Sequence, residues 1–408
     1  MKSIREIYKI GYGPSSSHTM GPERAAKVFR KKYPDADHYK VTLYGSLSKT
    51  GVGHGTDRVI LKTLEPVSTE IIFSKEKLEN SHPNTLDFEA FDASGAKLGT
   101  TMRVESIGGG DIRAPGQEQL ESPDVYMENS FAEVSDFCHW RYIEKLSDYV
   151  ELNEGPEIWP FLMEVWQVMK NSIQEGLSAT GVLPGGLNVQ RKAKFLYESH
   201  CPENVPQLKE FQLICSYAYA VAEQNADNGR ICTAPTCGAC GVVPALLYYI
   251  QQTRNLTDEQ MIRGLACAGV IGSLTKRNAS ISGAECGCQA EVGTACSMAA
   301  AAAAELYGLN LDQVEYAAEV AMEHHLGLTC DPICGLVQIP CIERNAVAAV
   351  RAMNACNLSY FLCGSRNISY DMVCRAMHDT GISLNHRFRE TSEGGLARIY
   401  DRRVGICD

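Results

Sequence analysis

The sequence predicts an α+β domain, a sheet with helices on one face, followed by a larger all-α domain. Two observations carry this. Period-two strand patterns separated by turn residues occur within about the first 115 of 408 residues. From about residue 132 the chain shows capped helical periodicity, and no strand of comparable quality follows 135. The small domain is assigned to 1–130 and the helical one to 131–408.

In order, Pro22–Phe29 reads as a helix. Lys40–Ser46 alternates with period two and reads as a strand. Arg58–Leu64 is a second helix; Thr69–Phe73 and Thr85–Phe91 are strands. Asp92-Ala93-Ser94-Gly95 is turn chemistry, so Leu98–Ile107 returns as the partner strand of a hairpin. Gly109–Ser122 is polar and broken by Gly and Pro, which marks an exit loop or linker. Helices then follow over Trp159–Ile173, Pro206–Glu223, Val242–Gln252, Asp258–Ile271, Cys296–Tyr307, Leu311–His324 and Ile342–Asn354. Asp258 and Asn310-Leu311-Asp312 supply start signals. Ala299–Ala304 reads as a close-packed central helix whose small side chains admit its neighbours.

Composition narrows the class. Apolar content of 45% is enough for a sizeable core. A net charge of −11 argues against a general nucleic-acid or anionic-membrane surface, though a local pocket can still be basic. Met1 to Lys9 contain no apolar signal core, and the run 295–304 is too short to span a bilayer. Seventeen cysteines, an odd number, make a disulfide scaffold a poor reading. Reduced thiols in a cytoplasmic protein are expected, some of them holding metal. Apolar faces on many helices make a homodimer the expected assembly.

Four segments could carry chemistry. Gly13-Pro14-Ser15-Ser16-Ser17-His18-Thr19-Met20-Gly21-Pro22 sets hydroxyls and an imidazole between two Gly-Pro turns before a helix. That suits a carboxylate ligand and a base, or simply an N-cap on a Ser-rich loop. Gly53-His54-Gly55-Thr56-Asp57 offers a second imidazole, or an ordinary helix start. Cys237-x-x-Cys240, after Thr233 and Thr236, lacks the second pair a structural zinc site needs and reads as coincidence. Lys276–Cys288 is dense in donors, including Asn278, Ser280 and Ser282.

Three cysteines say more. Cys288 sits in Gly-Cys-Gln-Ala-Glu-Val-Gly, and Cys330 and Cys341 bracket a Pro- and Gly-containing stretch. Cys286 competes with Cys288. Three thiolates are one short of what an electron-transfer iron–sulfur cube takes. An iron with an open position is a Lewis acid, which points to a dehydratase rather than a redox carrier.

GPSSSHTMGP, YGSL…GHGTD, HPNT, GVLPGGL, TAPTCG, NASISGAE-x-GCQ-x-EVG and LTCDP…GLVQIPCIERNA together resemble the iron–sulfur-dependent L-serine dehydratases. The resemblance runs the length of the chain, in order, in the single-chain arrangement with the small domain first. It implies that Cys288, Cys330 and Cys341 hold a [4Fe–4S] cluster in the helical domain. Cys286 and Cys334 fall at positions where non-ligand residues are expected. The implied reaction takes L-serine to pyruvate and ammonia, the open iron drawing off the hydroxyl while a His takes the Cα proton. His18 and His54 are the two candidates, with His54 favoured as base and His18 as substrate binder. Ser15, Ser16, Ser17 and Thr19 would hold the carboxylate, with Thr236, Asn278, Ser280 and Ser282 as further substrate contacts. Cys407, the penultimate residue, is a possible fourth ligand from the tail.

Three rivals stand beside this reading. A pyridoxal-phosphate enzyme would need a Schiff-base lysine in a βαβ setting, which the helical domain does not offer. An L-cysteine desulfidase would use the same cluster with sulfide leaving. A non-enzymatic iron–sulfur sensor would call for a fully ligated cluster, and no basic helix-turn-helix-like segment supports DNA binding.

Overall fold

The computed structural model describes residues 1–76, 78, 81–114, 123–202 and 204–404. The chain begins in the helical body rather than the sheet. Met1, Ile4, Ile7 and Tyr8 are buried in the helical core, and the Tyr8 hydroxyl donates to the Leu265 carbonyl at 2.7 Å. Strand β1 (Ile10–Tyr12) follows.

The small layer then forms from α1 (Gly21–Lys32), β2 (His38–Leu43), α2 (Gly45–Thr50), α3 (Thr56–Leu64), β3 (Ser68–Phe73), β4 (Thr85–Phe91), β5 (Lys97–Gly108) and β6 (Asp111–Arg113). Its strand order is β3-β2-β4-β5-β6. The sheet is mixed: β2 and β3 are parallel, joined through α2 and α3, and the other neighbours are antiparallel. Along β2, Tyr39, Val41 and Leu43 are buried while the residues between them are not, the period-two signal in the sequence. Phe29 of α1 rests on Tyr39 and Phe88, ring centroids 5.3 and 5.1 Å away. Burying a ring of this size contributes roughly 2 kcal/mol. The β4–β5 hairpin closes on Asp92, whose Oδ1 accepts from the Ser94 and Ala96 amides at 2.9 and 3.0 Å.

Two local expectations change. The strand read over Lys40–Ser46 ends at Leu43, because the chain turns at Gly45 into α2. The stretch read as a linker from Gly109 begins as β6, which pairs with the end of β5. Residues 115–122 of it lie outside the described residues.

The helical body comprises α4 (Phe131–Arg141), α5 (Leu146–Glu154), α6 (Ile158–Ser178), α7 (Ala193–Glu198), α8 (Pro206–Ala226), the short strand β7 (Arg230–Cys232), α9 (Val242–Arg254), α10 (Asp258–Asn278), α11 (Gly283–Cys286), α12 (Thr294–Leu306), α13 (Leu311–Glu323), α14 (Cys341–Leu362), α15 (Tyr370–Ser383) and α16 (Gly395–Val404). Its centre is α12, whose run Ala299–Ala304 is fully buried and packed by α9, α10, α13 and α14. Alanine lets four helices approach one axis at native density. Reciprocal capping boxes start α10 (Thr257 with Gln260) and α13 (Asn310 with Gln313). No helix among the described residues is long and apolar enough to cross a membrane.

Strand β7 is too short for a period to reveal it. It pairs antiparallel with β1, Ile10 opposite Cys232. The pairing anchors the residues just ahead of Ser15 to the helical body. From the other side, Ser106 Oγ on β5 donates to the Ser17 carbonyl at 2.7 Å. Asp111 of β6 gathers Lys276 of α10 and Arg24 of α1 at the same seam. The Ser-His turn is therefore held by both halves of the molecule.

Candidate active site

Ser16–Met20 winds as a single wide turn that runs straight into α1. Ser15 caps it, its hydroxyl accepting from the His18 amide at 3.1 Å. Two threonines stitch this turn to the loop after α2. Thr19 Oγ1 donates to the His54 carbonyl at 2.8 Å, and Thr56 Oγ1 donates to the His18 carbonyl at 2.5 Å. The two imidazoles are fully buried, with ring centroids 4.4 Å apart.

Their hydrogen-bond partners distinguish them. Ser46 Oγ donates to the Glu390 carbonyl at 2.6 Å, so it faces His18 Nε2, 3.0 Å away, as an acceptor. His18 therefore carries its proton on Nε2, and its Nδ1 accepts from Ser17 Oγ at 2.8 Å. His54 Nδ1 donates to the Thr50 carbonyl at 2.9 Å. That leaves His54 Nε2 as a buried lone pair with no hydrogen-bond partner. Burial holds His54 neutral, its pKa lowered to about 4 against the opposing Thr50 carbonyl. Burial and the neighbouring His54 lower His18 well below the usual imidazole value.

Glu390 enters from the far end of the chain. Its Oε1 lies 3.4 Å from His18 Nδ1 and 3.9 Å from His54 Nε2. Burial raises its carboxyl well above the usual range, with Glu291 and Cys288 adding to the effect.

Opposite the imidazoles stand the cysteines. Cys288 precedes the turn Gln289–Gly293 that leads into α12. Cys330 bridges to the strand-like segment at Arg389, its amide donating to the Phe388 carbonyl at 2.8 Å. Cys341 opens α14, and burial, with Cys288 adding to it and Arg344 opposing it, raises its thiol well above the ordinary value. Cys288 Sγ, Cys330 Sγ and a Glu291 carboxylate oxygen lie within 4.8 Å of one another. Cys330 donates to Cys288, and this contact, aided by Arg344, holds the Cys288 thiol below its ordinary value despite burial. Burial works against the Arg344 charge, but Cys288, Cys341 and Asp331 outweigh it and raise the guanidinium's pKa. Arg344 is fixed by the Thr329 carbonyl at 2.7 Å and Asp331 at 3.2 Å. Burial pushes the Glu291 carboxyl up to about 7, against the Thr236 hydroxyl and Arg344.

The competing cysteine points elsewhere. Cys286 packs against α15 at Gly381, where a Cβ would meet its sulfur at 2.5 Å. Burial raises its thiol to about 11. Cys334 is disulfide-bonded.

Ser15, His54, Cys288, Cys330, Cys341, Glu291 and Glu390 line one small cavity of about 20 Å³ between the two halves. A glycine keeps room beside the thiols: a Cβ on Gly283 would stand 2.6 Å from Glu291 Oε2 and 3.2 Å from Cys330 Sγ. Three soft donors, the half-buried Arg344 cation beside them and the space left by Gly283 fit an iron–sulfur cluster.

The other expected contacts lie at varied distances from this cavity. Ser17 is committed to His18 and Thr19 to the His54 carbonyl, while Ser16 is buried within the turn. Thr236 is buried beside Glu291. Ser280 Oγ donates to Glu285 at 2.5 Å, and Ser282 is buried against Gly108. Asn278 is exposed at the end of α10, its Nδ2 donating to the Asn129 and Leu274 carbonyls at 2.7 and 3.0 Å. Cys407 lies outside the described residues. Sequence reasoning missed Ser46, Thr50, Glu291, Arg344 and Glu390. Glu291 and Arg344 each lie three residues after a proposed ligand, a helical spacing that could have flagged them. Glu390 carried no such signal.

Residues 3–68 match the serine dehydratase beta chain family, and residues 74–397 match the serine dehydratase alpha chain family. The chain is 40% identical to L-serine dehydratase 2 of Escherichia coli (strain K12), over 100% of both chains. It is 38% identical to an L-serine dehydratase of Streptomyces coelicolor, over 97% of this chain and 98% of that one. An L-serine dehydratase of Haemophilus influenzae is 39% identical over 97% of this chain and 99% of its own.

Proposed function

The chain belongs to the serine dehydratase family, with beta-chain and alpha-chain regions in one polypeptide, and on that premise we propose that it converts L-serine to pyruvate and ammonia. The observation that carries the reading is the bare Nε2 of His54, a residue that shares a small cavity with Cys288, Cys330 and Cys341. A neutral, desolvated imidazole with its lone pair unspent is ready to take a proton at neutral pH.

When bound, a [4Fe–4S] cluster on Cys288, Cys330 and Cys341 supplies a Lewis-acid iron for the departing hydroxyl. The chain's own residues do the rest. His54 Nε2 takes the Cα proton while the Cβ–O bond breaks and a Cα=Cβ bond forms. The proton leaves with the hydroxide as water, which restores the neutral imidazole. The aminoacrylate tautomerises to an imine, and water hydrolyses it to pyruvate and ammonia. Ser15 Oγ already accepts from the His18 amide, and its own hydrogen faces only Ser17 Oγ at a long 3.4 Å. A substrate carboxylate can replace that contact. His18 has both nitrogens committed and acts as the brace that fixes Ser17 and Ser46. Arg344 balances the thiolate charge from behind.

The test is pyruvate release from L-serine by anaerobically purified protein, before and after brief air exposure. Activity lost in air and restored by ferrous iron and thiol supports the reading. Activity that survives air overturns the cluster assignment. Sulfide from L-cysteine without pyruvate from L-serine overturns the substrate.

A further inference from the structure

The catalytic cavity has no room for an amino acid to enter as it stands, yet a much larger space lies against it. A cleft of about 550 Å³ opens at the seam between the small layer and the helical body. Consecutive residues of the chain line the two spaces. Pro14 faces the cleft and Ser15 the cavity; Gly53 faces the cleft and His54 the cavity. Val337 is the residue common to both linings.

Around Val337 the wall is closed by main chain. A Cβ on Gly53 would come within 2.7 Å of the Cys334 carbonyl oxygen, and one on Gly335 within 3.0 Å of the Thr50 side chain. At Gly53 backbone meets backbone, so little can yield there without moving a loop. Val337 is different: it is 9% exposed and lines both spaces. Being β-branched, it has a restricted χ1 rather than a flexible arm. A stiff side chain between the two spaces acts as a sieve of fixed width.

We propose that the outer cleft admits the amino acid and that Val337 sets which β-substituents pass to His54 and the thiols. This rests on the reading of the cavity as the catalytic centre. A side chain carrying only a hydroxymethyl group passes; an added β-methyl, as in L-threonine, meets Val337. One methyl group met by a fixed wall discriminates by about tenfold or more.

Two measurements on the full chain test this. In the first, the cluster is removed by chelation, and alkylation of Cys288, Cys330 and Cys341 by iodoacetamide is followed residue by residue. Cys267 and Cys374, buried elsewhere, serve as internal controls. Val337→Ala speeds labelling of the three cysteines relative to the controls, and Val337→Phe slows it. Opposite shifts cannot come from a general loss of folding. In the second, kcat/KM for L-threonine and L-serine is compared in the holoenzyme. Val337→Ala raises the threonine-to-serine ratio about tenfold. Equal labelling rates in all three proteins overturn the entry route, and an unchanged ratio overturns the sieve. If the wild-type holoenzyme releases no pyruvate, the proposed reaction fails while the labelling still decides whether Val337 guards the cavity.

Discussion

The helical body places two of its three thiols at helix starts and holds Cys330 by main-chain hydrogen bonds to Phe388 and Glu390, while the small layer places its share on loops held by side chains. Cys341 opens a 22-residue helix, and Cys288 leads through a single turn into the buried alanine helix. Their positions follow from the packing of the core. His18 and His54 instead depend on single hydrogen bonds with Ser17, Ser46, Thr50, Thr19 and Thr56. The thiol side is rigid through packing, and the imidazole side is rigid through polar bonds in a dry seam. In the first, removing a ligand leaves the scaffold intact. In the second, removing a support redirects the functional atom.

The most severe break is on the thiol side. Cys288→Ser, Cys330→Ser and Cys341→Ser should each abolish pyruvate release and reduce bound iron and sulfide, while circular dichroism stays near wild type. Any of the three that keeps full iron and activity would remove that residue from the ligand set. Next comes the imidazole side. His54→Gln should lower kcat by roughly 10²–10⁴-fold with iron content retained. His18→Gln should act more on KM, because its nitrogens brace the turn rather than face the cavity. If the two variants exchange these profiles, the assignment of base and brace is reversed.

Arg344→Met sharpens the comparison within the thiol side. It removes the cation behind the proposed cluster site while leaving all three sulfurs. Outer-shell losses of this kind weaken metal retention by roughly 10–100-fold. Iron release to a chelator would show it, and release at the wild-type rate would leave Arg344 a purely structural role.

The smallest effect is on stability in acid. His54 is held neutral with a pKa of about 4, below the ordinary value of about 6.5 for an unfolded imidazole. Between these values the unfolded chain binds a proton that the folded chain refuses. Stability is therefore fully present above about pH 6.5 and falls as the pH drops toward 4. Glu291 and Glu390 act in the opposite sense, since burial raises both carboxyls. The contrast with His54→Gln isolates the imidazole. From pH 7 to 4.5 the wild type should lose about 2–3 kcal/mol relative to that variant in urea melts. A constant difference across this range would mean that His54 titrates normally.

Much of this was legible in the chain. The Thr85–Phe91 strand matches β4, and the alternation around Lys40 matches the buried and open faces of β2. The capped helices from Pro206 onward begin within about two residues of their expected starts, because caps and periodicity are local properties. The motifs carrying His18, His54, Cys288, Cys330 and Cys341 also lay in plain view, since each is a short stretch of unusual composition. What the sequence could not express was direction. Nothing local tells that Cys286 turns toward α15 while Cys288 turns into the cavity, or that Asn278 ends on the surface. Strand β7 has three residues and forms only because β1 lies beside it. Arg344 and Glu390 acquire their roles from groups distant along the chain, a cluster of thiols in one case and two imidazoles in the other. The choice between His18 and His54 is of the same kind. Both are histidines in Gly- and hydroxyl-rich loops, and only the folded seam, by filling both nitrogens of one and one nitrogen of the other, leaves a single lone pair facing the cavity.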